Sequence, residues 1–522
     1  MSFTSIDFLA FFGILIILYY ALPKKIQWIV LLVASYTFYL LAGIKYLAFI
    51  LFTTITTYLV TVYMDNNHQM QAAYLKEHKA DMSKEEKKAF KKVIKSKDRL
   101  WFVITIVANF GILFFCKACL VEPLSSMTDL SVISFLSVGL PFGISFYMFQ
   151  SMGYVIDVYR GKAEAERNFF KVALFVSFFP QLVQGPISKW EQLKTSLFTP
   201  HAFDTRQVAF GLQRVLWGFF KKLVIADRIA VAIGTLKGTE YTGVGFFLLT
   251  TLYAVQIYGD FTGGIDIAIG VGETLGITMP ENFIRPYFSK NIAEYWRRWH
   301  ISLNEWMKSY IFYPITVSGP MLKLAVKSRQ KLGKFGMRLP VYIGSLLTWL
   351  GTGVWHGFNL HFIVWGLINC VVIVISEELA PAYEKFHGKY AWSNTRGYNV
   401  FQIIRMFVLM NLIRATDLFN DVGDYFRRLG SLAYDFNFNI LWDGTMMNLG
   451  LSVSDYIILG IGVVLMFLVS FFSRDDVSIR VKLQKIPRAA RYAIFMALLI
   501  SVILFGSYGI GYDASSFIYN QF

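Results

Sequence analysis

Charge is scarce in this chain. Asp, Glu, Lys and Arg make up only 16% of its 522 residues, where soluble domains run near a quarter. Residues 339–376 contain none of the four. Cysteine is nearly absent too, with three in all. Cys116 and Cys119 form one C-x-x-C without a second pair, which is half a zinc site and reads as packing, so no metal site is expected. No basic segment precedes the first apolar block and no small-residue cleavage site follows it, so that block is expected to be a retained span. There is no basic soluble domain of the kind a nucleic-acid binder needs, no low-complexity linker and no repeat. A G-x-S-x-G elbow, a Walker loop and a G-x-G-x-x-G after a strand are all missing, which leaves a serine hydrolase or a nucleotide-driven pump poorly supported. The halves show no mirrored pair of broken segments, which weakens a secondary-transporter reading.

What is abundant is apolar length. Hydrophobic residues make up 55% of the chain, in blocks such as 8–22, 27–43, 46–64, 100–115, 400–410 and 457–472. Since about 20 apolar residues cross a bilayer, the expectation is an all-α, polytopic integral membrane protein. About ten or more spans are expected, arranged as one membrane domain over residues 1–522. The pieces at 173–186 and 223–236 are short and broken, or carry Asp227 and Arg228. They suit re-entrant or buried segments lining a cavity.

The residual charge is lopsided, 50 Lys+Arg against 34 Asp+Glu. The positive-inside rule accounts for the excess. Residues 65–99 hold ten Lys/Arg and six Asp/Glu and read as a helical cytoplasmic loop. Lys24 and Lys25 and the basic run 474–491 also belong inside, and the acidic segment 120–132 outside. Both termini then face the extracytoplasmic side.

Three constellations could carry chemistry. In NIAEYWRRWHISLNEWMKSYIFYP (291–314), Asn291 and Glu294 make a capping-box-like start. Trp296, Trp299, Leu303, Trp306 and Tyr310 recur at helical spacing. Arg298 can pair with Glu294, and His300 and Asn304 lie one turn apart beside the aromatic stripe. One reading is an interfacial amphipathic helix with aromatic and arginine anchors. The sharper one points His300 and Asn304 into a cavity.

The second constellation, WLGTGVWHGFNLHFIVWGLINC (349–370), sets His356 and His361 in the charge-free run. On a continuous helix they diverge by about 140° and do not form a metal pair. Gly351, Gly353 and Gly357 around Trp355 and His356 suggest a bend or close approach. His361, next to the loop after Asn359, reads as structural. Burial disfavours imidazolium, so a histidine here is expected to be a neutral base able to take a proton from an attacking hydroxyl or thiol. The third constellation, YGDFTGGIDIAIGVGETLGITMPENFIRPYF (258–288), holds Asp260 and Asp266. Structural pairing with Arg285, Arg297 or Arg298 is expected for them.

Taken with LPFGISFYMFQSMGYVIDVYRG (140–161), FVSFFPQLVQGPI (175–187), GFFKKLVIAD (218–227), DFTGGIDIAIG and MPENFIRPY, the runs YWRRWHISLNEW and VWHGFNLHFIVWG resemble the membrane-bound O-acyltransferase superfamily. Within it the chain is most similar to the bacterial alginate O-acetyltransferase branch. The resemblance covers nearly the whole chain in order. It implies a multi-helix membrane core with a funnel and tunnel, His356 as catalytic histidine and His300 as its partner. Candidates along the tunnel are Asn304, Trp296, Trp299, Trp355, Arg297, Arg298 and Asp260. It also implies a cytoplasmic thioester donor, acetyl-CoA, no bound cofactor, a bacterial cell-membrane location in the lipid bilayer, and an extracytoplasmic acetyltransferase partner protein delivering to a polysaccharide. Members often carry a histidine where this chain has Asn369 and an aromatic residue where it has Gly264, which leaves acceptor and partner open. D-alanyl transfer to teichoic acid, performed by a related branch, is the alternative within the family. A non-enzymatic proton-relay transporter is the alternative outside it.

Overall fold

The computed structural model describes residues 2–79, 81–118, 141–473, 478–508 and 517. The expectations for Cys119, for the acidic segment 120–132 and, apart from Phe517, for the C-terminal 515–522 lie outside the described residues. Among the described residues all regular structure is helical, and β-type pairing is limited to one antiparallel bridge, Phe283 with Trp299.

Among the described residues, seven helices are long and apolar enough to cross a membrane: Lys24–Ala42, Ile44–Glu77, Lys84–Ala118, Gly243–Thr274, Leu360–Lys389, Val453–Phe472 and Arg488–Phe505. Helices serve here because each satisfies its own backbone hydrogen bonds. Two shorter apolar stretches, Ile6–Ala21 and Phe169–Gln184, accompany them. By length and composition the expected ten or more is thus not reached among the described residues. One reason is Gly319–His356. Its first half carries Lys323, Lys327, Arg329, Lys331, Lys334 and Arg338, and glycine, threonine, tryptophan and His356 dilute its second half.

The chain packs as two compact units. Unit 1 holds residues 1–209 and 271–280. Its Ile144–Tyr159 helix is buried on nearly every face. Leu47–Glu77 and Lys84–Ala118 carry helix through most of the expected basic loop 65–99. The run 173–186 breaks at Phe178, between Phe169–Ser177 and Phe179–Gln184, rather than at its proline. Pro180 occupies the first turn of the second piece, where a missing N–H removes no helical hydrogen bond.

Unit 2 holds residues 210–270 and 281–522. Here the part of Thr205–Phe219 from Phe210 on, the π-helical Phe220–Ala226 and Asp227–Gly238 follow one another directly. The run 223–236, expected as a short separate piece, is therefore the C-terminal part of a longer helical run. Its charges are paired: Asp227 with Lys222 at 2.7 Å and Arg228 with Asp455 at 3.0 Å. The glycine-rich stretch of Gly243–Thr274 is a packing seam against this helix. A Cβ at Gly263 would lie 2.9 Å from the Gly218 carbonyl oxygen, and one at Gly270 2.8 Å from that of Gly211.

Candidate active site

The 291–314 stretch is not one helix. It begins as expected: the Asn291 side chain accepts from the Glu294 N–H at 2.8 Å, and Glu294 pairs with Arg298 at 2.7 Å. Ile292–Arg298 then stops, and a new helix, Ile301–Met307, starts after His300. At the junction Trp299 is extended and His300 sits at φ +48°, a conformation uncommon for any residue but glycine. The cause is non-local. The strand-like segment 282–284 runs antiparallel to 298–301, with Ile284 N–H donating to the Arg298 carbonyl and Ile301 N–H to that of Asn282, each at 3.0 Å. Asn304 secures the break from beneath. Its Nδ2 donates to the carbonyls of Trp299 at 2.7 Å and Trp296 at 2.9 Å, which the end of the first helix leaves without intrahelical partners.

Asn282 completes the cradle. Its Oδ1 accepts from the backbone N–H and the hydroxyl of Ser302, both at 2.9 Å. The same amide lies 3.3–3.4 Å from His300 Nδ1. His300 is 2% exposed, edge-on to Phe261 with centroids 4.8 Å apart. Burial, and to a lesser degree the Arg414 guanidinium, push its imidazole down to about 3, so it is neutral near pH 7. Arg414 itself lies over the Trp299 ring at 4.2 Å.

His356 arrives from another direction, as the last residue of Gly319–His356. Gly357 ends that helix, and Leu360–Lys389 packs back against it. The two arms touch backbone to backbone at their glycines: a Cβ on Gly353 would meet the Phe362 carbonyl oxygen at 2.6 Å, and one on Gly366 that of Trp349 at 2.5 Å. His356 and His361 therefore sit on opposite arms, so the 140° divergence of a continuous helix does not apply. His361 is buried in the first turn of the second arm, its ring 4.2 Å from that of Phe362.

One indole lies between the two candidate histidines. Trp355, 2% exposed, has its ring 4.8 Å from that of His356 and 6.0 Å from that of His300. His356 is half-buried and flanked by Trp365 at 5.1 Å and Phe362 at 5.9 Å. Trp296 sits against Trp349 at 4.8 Å and Trp365 at 5.8 Å, and donates its indole N–H to Asn369 Oδ1 at 3.2 Å. A neutral His300, and a His356 ringed by aromatic side chains, suit proton transfer between weakly polar reactants.

Arg297 is exposed and Arg298 is engaged with Glu294. Trp299 is buried under Arg414 and stacks on Tyr295. Asp260 is buried and pairs with Lys222 at 2.6 Å, not with the arginines expected from sequence. Lys222 and Lys221 reach across the glycine seam, so that Asp266 meets Lys221 at 2.6 Å and Arg214 at 2.8 Å. Sequence reasoning gave no role to Asn282, Phe261, Trp349, Trp365 or Arg414. Asn282 stands in the NFIRPY run and the two tryptophans in the charge-free one, but only the three-dimensional pairing tells them from their neighbours.

Comparison with known sequences places the chain. The family model described as MBOAT, membrane-bound O-acyltransferase family, matches residues 31–415. The chain is 32% identical over 373 residues to the "Probable alginate O-acetylase AlgI" of Pseudomonas syringae pv. tomato, covering 70% of this chain and 64% of that relative. Against the "Peptidoglycan O-acetyltransferase" of Helicobacter pylori it is 29% identical over 424 residues, 74% of this chain and 70% of the other. Against the "Teichoic acid D-alanyltransferase" of Bacillus subtilis it is 28% identical over 267 residues, 50% and 62%.

Proposed function

The chain belongs to the membrane-bound O-acyltransferase family, and from that premise we propose that it is an O-acetyltransferase subunit of a bacterial cell membrane. It takes acetyl from acetyl-CoA at the cytoplasmic face and passes it to a hydroxyl of an extracytoplasmic cell-surface polysaccharide, with an extracytoplasmic acetyltransferase partner completing delivery. The observation that carries this reading is the convergence of His300 and His356 on Trp355. In the proposed step the His356 imidazole removes the proton of the acceptor hydroxyl as its oxygen attacks the thioester carbonyl. A C–O bond forms and the C–S bond breaks. Coenzyme A leaves as thiolate and takes up a proton. His300, fixed by Asn282, holds the reacting groups from the other side of the indole.

Acetyl is preferred to D-alanyl because the acetylating relatives match 70–74% of the chain and the D-alanylating one 50%. The test supplies labelled acetyl-CoA to membranes and reads label in extracytoplasmic polymer. His356→Ala should reduce it by about 10²-fold or more while the protein inserts normally, the scale of a lost general base. Wild-type labelling in that variant would remove the assignment. Label accepted only from a D-alanyl carrier would change the acyl group.

A further inference from the structure

Gly319–His356 is not one straight helix. Gly333 interrupts it at φ +58° and ψ −133°, and the chain doubles back there. A Cβ at Gly336 would run into the Ser328 carbonyl oxygen, and one at Gly344 would meet the Thr316 side chain at 2.5 Å. Residue 328 thus lies beside 336, and 316 beside 344. The segments 319–332 and 334–356 therefore form an antiparallel helical hairpin with its tip at Gly333. By helical rise the tip stands roughly 30 Å along the second arm from His356, too far to belong to the histidine site.

On the first arm two stripes run side by side. Lys323, Lys327 and Lys331, each four residues on from the last, share one exposed edge. Leu322 and Val326, 54% and 67% exposed, form an edge about 100° away. The tip repeats the mixture, with Lys334 between Leu332 and Phe335, both 53% exposed. Residues 306–376 contain no Asp or Glu. Of the six cations in 319–338, Arg338 is taken up by Glu378 at 2.6 Å. Among the described residues Lys323, Lys327, Arg329, Lys331 and Lys334 make no ion pair.

Neither half of this surface suits water alone. Like charges four apart repel along a helix, and Leu, Val and Phe side chains gain by leaving water. A nucleotide or free phosphate would neutralise the lysines but has no use for the hydrocarbon beside them. An anionic bilayer surface answers both. It offers phosphates at head-group level to the cations and acyl chains beneath to the apolar edge, which is how basic amphipathic helices lie on membranes.

We propose that the hairpin 319–338 binds anionic phospholipid at the membrane surface. Its lysine stripe meets the lipid phosphates, and the edge of Leu322 and Val326 enters the acyl-chain boundary. This binding is independent of the acyl-transfer reading and is read without activity.

Full-length Val326→Cys carries an environment-sensitive fluorophore on the new thiol, with the parent protein as blank for its own cysteines. It sits in nanodiscs of phosphatidylcholine with or without phosphatidylglycerol. With phosphatidylglycerol present, the emission should shift blue and be quenched by doxyl groups on the lipid tails. Both effects should be lost when Lys323→Glu, Lys327→Glu and Lys331→Glu are combined. Both should also be lost in molar salt, which screens the attraction and keeps the proposal testable if the triple variant fails to fold. Equal quenching in the two lipid mixtures, or quenching that salt leaves intact, would overturn it, since apolar contact alone would then hold the hairpin. So would a fluorophore exposed to water in both mixtures, or one that responds to acetyl-CoA without lipid quenching, which would turn the lysines to the donor.

Discussion

Asn282 holds His300 in a way that none of the histidine's chain neighbours does. His300 has a positive φ, and that geometry persists because Asn282 takes both the N–H and the hydroxyl of Ser302 on one oxygen and sets its amide against the imidazole. Asn282→Ala would strand two buried donors at about 1–3 kcal/mol and free the ring to turn. The expected result is a modest loss of thermal stability with a ten- to hundredfold fall in turnover, the scale of a lost orienting partner. Asn282→Asp keeps the acceptor for Ser302 and should restore stability more than turnover. Wild-type turnover in Asn282→Ala would show that the cradle is irrelevant to His300. At this scale the sequence was partly legible. His300 and His356 stand out because they are rare titratable groups beside glycines and tryptophans. Asn304, a polar residue one turn from a histidine, reads from sequence as a second site group, and the structure shows its amide nitrogen donating to backbone carbonyls.

Helices were easier to foresee than their interruptions. The aromatic spacing from Trp296 to Tyr310 stays in register across 299–300, so periodicity alone reads one helix where the chain makes two. What breaks it is a hydrogen-bonded partner segment, 282–284, and no local propensity reports that. Gly351, Gly353 and Gly357 were visible as a bend or close approach, but Gly366 was not, nor was the backbone that Gly353 approaches. Gly366 tests their purpose. Any side chain there places its Cβ 2.5 Å from the Trp349 carbonyl oxygen, so the arms must separate and carry Trp349, Trp365 and His356 with them. Gly366→Leu should cost about 1–3 kcal/mol, as overpacking does, and lower activity although it touches neither histidine. Gly388→Leu, on the same helix with no atom near its Cβ, should leave the unfolding temperature and activity nearly unchanged. Equal behaviour of the two variants would refute the close-packing account.

For the whole molecule, the question is which reactant meets the protein from which side. The bilayer character was plain from apolar block length, because hydrocarbon thickness sets that length. The exact spans were not, because buried pairs such as Lys222 with Asp260 let charged residues lie inside an otherwise apolar helix run. Orientation rests on charge placement. Residues 65–99 and 323–338 are strongly basic, and the positive-inside rule favours the cytoplasmic side for such segments. On the proposed reading, a polyanionic thioester donor would be drawn to that face and would not cross unaided, since ionised groups are costly in hydrocarbon. Transfer to an outside hydroxyl therefore needs a protein whose reactive pair is served by donor from one side only. Inside-out vesicles given labelled acetyl-CoA should acetylate polymer trapped in their lumen. Right-side-out vesicles given the same donor externally should not do so until permeabilised. Equal labelling of intact vesicles of both orientations would mean that the donor reaches the histidines from the outer face, and the inside-to-outside transfer would fail with the charge argument behind it.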